Sequence, residues 1–116
     1  MRINEYQGAA LRTESRPFKG RDDEDLARLL QGLIGLCGEA GECIDIYKKH
    51  VFQGHELDKA QLAKELGDVA WYLAVSAAAI GYDLESIMRM NIDKLRRRYP
   101  EGFDSELSQH REPGDE

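Results

Sequence analysis

The sequence predicts an all-α, four-helix-bundle-like domain. Two observations carry that expectation. Apolar residues recur every three or four positions through two long stretches, Leu26 to Tyr47 and Leu62 to Ile80. Short connections marked by glycine, proline and acids join the periodic segments, as between neighbouring helices of a bundle. Size agrees: 116 residues, 41% of them apolar, suffice for one domain with a real core and are too few for two.

Ile3 to Thr13 reads as a short amphipathic helix, with Asn4 placed to cap it and Tyr6, Ala9, Ala10 and Thr13 at helical spacing. The segment SRPFKGRDD is a loop, broken by Pro17 and Gly20 and ending in acids that suit a helix N-terminus. Residues 1–22 are thus an N-terminal helix and loop. The second helix runs from near Asp23 to about Lys49, its stripe formed by Leu26, Leu29, Leu30, Leu33, Leu36, Cys37, Ala40, Ile44 and Tyr47. Four glycines fall within ten of its positions, Gly32, Gly35, Gly38 and Gly41. Each costs roughly 1 kcal/mol against alanine in a helix interior, so close approach of a ligand or another helix is expected to compensate. Phe52 to Glu56 form a connection. Asp58 N-caps a third helix carrying Leu62, Leu66, Val69, Leu73, Ala77 and Ile80, which ends at Gly81. Asp83 caps a fourth, through Leu84, Ile87, Met88, Asn91, Leu95 and Tyr99, and Pro100 stops it. The helical domain is expected to span residues 23–103, leaving 104–116 as an acidic, flexible tail.

The formal net charge is −6, but after Pro100 six acids face one base, Arg111, so the residues after Pro100 contribute −5 and the body is nearly neutral. Nucleic-acid binding is not expected, since it relies on clustered lysine and arginine. Cys37 and Cys43 lie about 120° apart on one helix and cannot easily bridge each other. They read as small core residues in a reducing compartment. No signal-like opening and no apolar run near the roughly 20 residues of a spanning helix occurs, which points to a cytoplasmic protein without a membrane partner.

Chemistry concentrates between Gly38 and Asp68. Glu39 with Glu42, and Glu65 with Asp68, are acid pairs spaced i,i+3, each on one helix face and each beside an apolar stripe. Two such pairs on neighbouring helices can enclose one or two hard divalent cations. Magnesium, which prefers oxygen ligands and bridges carboxylates to phosphates, is the natural candidate, with manganese as its substitute. Ion pairs to Lys64, Lys48 or Lys49 are the competing use of the acids. A bundle di-iron site needs Glu-x-x-His, which does not occur; His50, His55 and His110 lack zinc-ligand spacing with the cysteines; no EF-hand loop is present.

In the fourth helix Asn91, Lys94 and Arg98 share a face, offering an amide, a point charge and a planar fork to phosphate oxygens. A basic last turn complementing the helix dipole is the plainer reading of Arg96, Arg97 and Arg98. Trp71 lies about 160° from the centre of the third helix's stripe. It is therefore expected to face away from the core, toward a subunit interface or a nucleobase.

GEAGE at 38–42, KELGDVAWYL at 64–73 and NIDKLRRRYP at 91–100 together resemble the MazG-like nucleotide pyrophosphohydrolases, over about residues 24–103. The resemblance implies a MazG-type oligomeric domain that hydrolyses a nucleoside triphosphate between its α and β phosphates. It implies Mg²⁺ held by Glu39, Glu42, Glu65 and Asp68, with Glu39 or Glu42 as base. Asn91, Lys94 and Arg98 would hold the phosphates, with Lys64 and Trp71 added as substrate-binding residues. A homo-oligomer is implied too, a tetramer ahead of a dimer. The alternative is a non-catalytic helical interaction or regulatory protein that uses its acids as ion pairs.

Overall fold

The structure, a computed structural model, describes residues 1–115 and contains five helices and, among those residues, no strand. They are α1 (Ile3–Leu11), α2 (Glu24–Gln53), α3 (Lys59–Ala79), α4 (Leu84–Arg98) and α5 (Ser105–Gln109). The chain divides into two compact units, Met1–Leu84 and a second unit from Glu85 onward.

In the first unit α2 and α3 form a helical hairpin, with α1 against α3. The pairing is antiparallel: Gly32 meets Ser76, Gly35 meets Tyr72, and Glu39 lies with Glu65 and Asp68. A Cβ built on Gly32 would stand 2.3 Å from Ser76 Oγ, and one on Gly35 would stand 2.0 Å from the Tyr72 ring. The approach that offsets these two glycines is therefore that of α3. Gly38 and Gly41 have open space where a Cβ would go.

Helix boundaries follow local chemistry. The side chain of Asp58 accepts from Gln61 N at 3.0 Å, as its position implies. Gly54 closes α2 in the left-handed region (φ 72°), with its amide bonded to Lys49 O; Phe52 and Gln53 are still helical, so the connection is shorter than expected. Gly81 turns the chain after α3 with φ 81°. Arg2, not Asn4, holds the N-cap position of α1, and Asn4 lies inside the helix.

The leucine stripes behave differently from expectation. On α2, Leu26 is 72% and Ile34 64% exposed, and Leu30, Leu33, Ile44 and Tyr47 are exposed too. Leu29 and Leu36 are half-buried. On α3, Leu66, Leu73 and Ile80 are exposed, whereas the run Ala74, Val75, Ser76 and Ala77 is buried. The physical reason is width. Apolar residues cover more of α2 than one neighbour can bury, and the neighbour seats against the small residues, where backbones come closest. Cys37, expected in the core, is exposed; both cysteines are free thiols.

The buried run is sealed by α1. Gln7, 6% exposed, donates from Nε2 to Ala74 O (3.1 Å) and Tyr82 O (3.3 Å), and its Oε1 accepts from Leu84 N (2.9 Å), the first amide of α4. All three bonds satisfy groups that burial would otherwise strand. Glu14 then ties the following loop to α2 through a two-bond pair with Arg28 (2.8 and 2.9 Å), both side chains largely buried.

In the second unit α5 occupies part of the acidic tail. Asp104 caps it, accepting from Glu106 N and Leu107 N at 2.8 and 3.2 Å.

Candidate active site

Three of the four predicted acids converge. Glu39 from α2 and Glu65 and Asp68 from α3 each place a carboxylate oxygen within 4.8 Å of those of the other two. Glu39 and Glu65 are half-buried and Asp68 is exposed. Glu42 lies one turn on from Glu39 and outside this trio, though near enough for its charge to act on Glu39. Glu39 is held above the usual carboxylate range. A hydrogen bond with Glu65 is the first cause, followed by partial desolvation and the charges of Asp68, Glu65 and Glu42. The shift marks a place where carboxylates gather more negative charge than their surroundings neutralise.

Among the described residues no lysine forms an ion pair with these acids. Lys48 and Lys49 both pair with Asp45, at 3.1 Å each. Among the described residues no ion pair reaches Glu39, Glu42, Glu65 or Asp68. The ion-pair use of the acids through Lys48 or Lys49 is thereby overturned, and the simple reason is that Asp45 is one turn away on the same helix. An all-carboxylate donor set of this kind suits a hard cation and fits neither a soft metal nor zinc in its structural form.

Beside the trio a cleft of about 330 Å³ is lined by Glu39, Asp68, Trp71 and Tyr72. Trp71 departs from expectation. It does point away from the leucine stripe of α3, but that side is not open: α1 covers it. The indole Nε1 donates to Ala10 O (3.1 Å) and Thr13 Oγ1 (2.9 Å), and the ring meets Tyr72 edge to face, centroids 4.9 Å apart. The inversion follows from α1 docking on the face opposite the leucines. Tyr6, also from α1, brings its hydroxyl within 3.5 Å of Gly67 O. Burial and the charge of Asp68 raise its pKa.

Tyr72 and Gln7 were missed in the sequence. Tyr72 was legible as the residue one helical turn after Asp68 on the same face. Gln7 offered less, a polar residue three positions before Ala10 on the α1 face that becomes buried.

Asn91, Lys94 and Arg98 belong to the second unit. Asn91 is exposed and Lys94 half-buried, while Arg98 is paired with Asp115. Lys64 is exposed on α3, next to Glu65.

Fold and cluster together define a class: an all-α protein with a carboxylate site able to hold a divalent cation beside an aromatic-walled cleft. The chain belongs to the MazG nucleotide pyrophosphohydrolase domain family, which matches residues 28–103. Enzymes of that family are metal-dependent. The chain is also similar to the Gene 37 protein of Mycobacterium phage L5, with 33% identity over 106 residues, covering 88% of this chain and 92% of the relative. No solved structure matches. The family match begins after α1, so the helix that covers Trp71 lies outside it. Among the described residues no helix is long and apolar enough to cross a membrane.

Proposed function

We propose that this chain is a Mg²⁺-dependent nucleoside triphosphate pyrophosphohydrolase, cleaving a ribo- or deoxyribonucleotide between the α and β phosphates to the monophosphate and pyrophosphate. Clearing unwanted nucleotides from the pool is the role such chemistry serves. The observation that carries the reading is the unneutralised trio Glu39, Glu65 and Asp68, with Glu42 one turn away. These four acids would hold the cation. When bound, it would neutralise charge developing on phosphoryl oxygens and lower the pKa of a coordinated water.

The chain's own groups divide the remaining work. Glu39 or Glu42, whichever is less engaged by the cation, takes the proton of the attacking water. Trp71 and Tyr72 wall the cleft on the side where a nucleoside would lie. Asn91, Lys94 and Arg98 supply donors for phosphate oxygens, and Lys64 adds charge beside Glu65. The exposed leucines of α2 and α3 support a homo-oligomer, tetramer or dimer, that buries them, since contiguous apolar faces of this kind mark protein interfaces. A cytoplasmic setting suits the substrate and the free thiols.

Release of pyrophosphate from a panel of standard and modified nucleoside triphosphates with Mg²⁺, abolished by EDTA, is the expected result. No turnover on any of them, with no Mg²⁺ binding by calorimetry, leaves the helical interaction protein as the better account. A monomer mass by light scattering at micromolar concentration would remove the oligomer.

A further inference from the structure

The second unit holds Arg98 in an ion pair of its own. The side chain of Arg98, at the end of α4, is only 10% exposed, and its Nε lies 2.8 Å from both Oδ1 and Oδ2 of Asp115. Asp115 is delivered by a built turn. Pro113 and Gly114 stand at its centre, Gly114 has φ 85°, and Asp115 N bonds to Glu112 O at 3.1 Å. Proline followed by a positive-φ glycine is the signature of a type II turn, so EPGD specifies this geometry locally. Glu112, Pro113, Gly114 and Asp115 enclose, with Lys94 and Arg97, a cavity of about 480 Å³. The carboxylate meets Arg98 only through Nε. Arg98 Nη2 is buried with no hydrogen-bond partner among the described residues.

We propose that this C-terminal turn is an intramolecular stand-in for substrate phosphate, with Asp115 occupying Arg98 until a polyphosphate displaces it. The proposal rests on the phosphate role given to Arg98 above. A guanidinium fork takes carboxylate and phosphate in the same way. The tether keeps the carboxylate at high effective concentration, so a nucleotide must compete with it for the arginine. The incomplete match is what makes the pair displaceable. A buried donor left unmade is costly, and a phosphoryl group with three oxygens can satisfy Nε and Nη2 together. The turn thereby sets the affinity for triphosphate without entering the chemical step.

The experiment measures binding of inorganic tripolyphosphate by calorimetry without metal, and separately KM and kcat for a hydrolysed nucleotide. Asp115→Ala, and a chain ended after Arg111, should bind tripolyphosphate about three- to tenfold more tightly than the wild type. KM should fall by the same factor with kcat unchanged, and Asp115→Glu should restore wild-type values. Unchanged or weaker tripolyphosphate binding in Asp115→Ala, at intact helix content, overturns the proposal, as does tripolyphosphate binding to neither variant. The two readings fail separately. Tighter binding in Asp115→Ala without turnover by any variant sinks the activity and keeps the stand-in, whereas turnover with unaltered KM and binding does the reverse.

Discussion

The two long faces of α2 end in opposite situations. The face carrying Gly32, Gly35 and Glu39 closes on α3, with Ser76 and Tyr72 where side chains on the glycines would stand. The face carrying Leu26, Leu30 and Ile34, far richer in apolar area, remains exposed. Within one chain, closeness of approach therefore decides the seam, and the bulkier residues are left for another surface. The site inherits its spacing from this. Glu39 sits one turn beyond Gly35, and the distance at which the glycines let α3 approach is the distance at which Glu39 meets Glu65 and Asp68.

The largest effect should come from the charged end of the seam. Asp68→Asn or Glu65→Gln removes a ligand oxygen and is expected to lower pyrophosphate release about 100-fold or more, the scale on which electrostatic stabilisation acts. Helix content by circular dichroism should not change. If either variant retains wild-type turnover, the trio is not the cation site.

A smaller effect, with a sign change built in, comes from the glycines. Gly32→Ala drives a Cβ into Ser76 Oγ and to within 3.3 Å of its Cα, overpacking worth about 1–3 kcal/mol of stability. Gly38→Ala meets nothing within 4 Å and should instead stabilise by up to about 1 kcal/mol. Chemical denaturation of the two variants checks both. Opposite signs from the same substitution, six residues apart, would tie the seam to the small face of α2. A stabilised Gly32→Ala would break the comparison.

Much of this was legible before the structure. Helical periodicity placed all four long elements, because apolar recurrence and turn residues are local signals. The acid pairs stood out for the same reason, and their phase at the edge of apolar sequence brought Glu39, Glu65 and Asp68 together correctly. What the sequence hid depends on which of two faces a neighbour chooses. Leu30 and Leu66 read as core by hydrophobicity alone, while Gly32 and Ser76 won the contact through backbone proximity. Trp71 was placed on the correct side of α3, but nothing local foretold that α1 would return to cover it through Thr13 and the Ala10 carbonyl. Gln7 was invisible because its three partners lie between 67 and 77 residues away. The clasp of Arg98 by Asp115 was hidden similarly. The turn EPGD is readable, but the arginine it reaches is not.

The smallest effect separates charge from packing at the acid end of the seam. Glu39 retains a proton above the pH at which an ordinary carboxyl loses it, because Glu65 hydrogen-bonds to it and Asp68, Glu65 and Glu42 repel its charge. A raised folded-state pKa means that the folded chain binds more protons than the unfolded chain in the interval between the two values. Its contribution to stability is therefore full below the unfolded pKa and lost as pH rises through the folded one. Without metal, the thermal midpoint should fall across that interval by an increment that Glu39→Gln abolishes. A divalent cation needs the ionised acids, so its binding competes with protonation of Glu39 and tightens as pH rises. The rise in thermal midpoint on adding Mg²⁺ should then grow from pH 5 to pH 7.5 in the wild type. In Glu39→Gln it should be small at every pH. Scanning calorimetry of both proteins, with and without Mg²⁺, makes the comparison. A Mg²⁺ gain independent of pH in the wild type would mean that the cation does not compete with protons for Glu39, and so does not sit between α2 and α3.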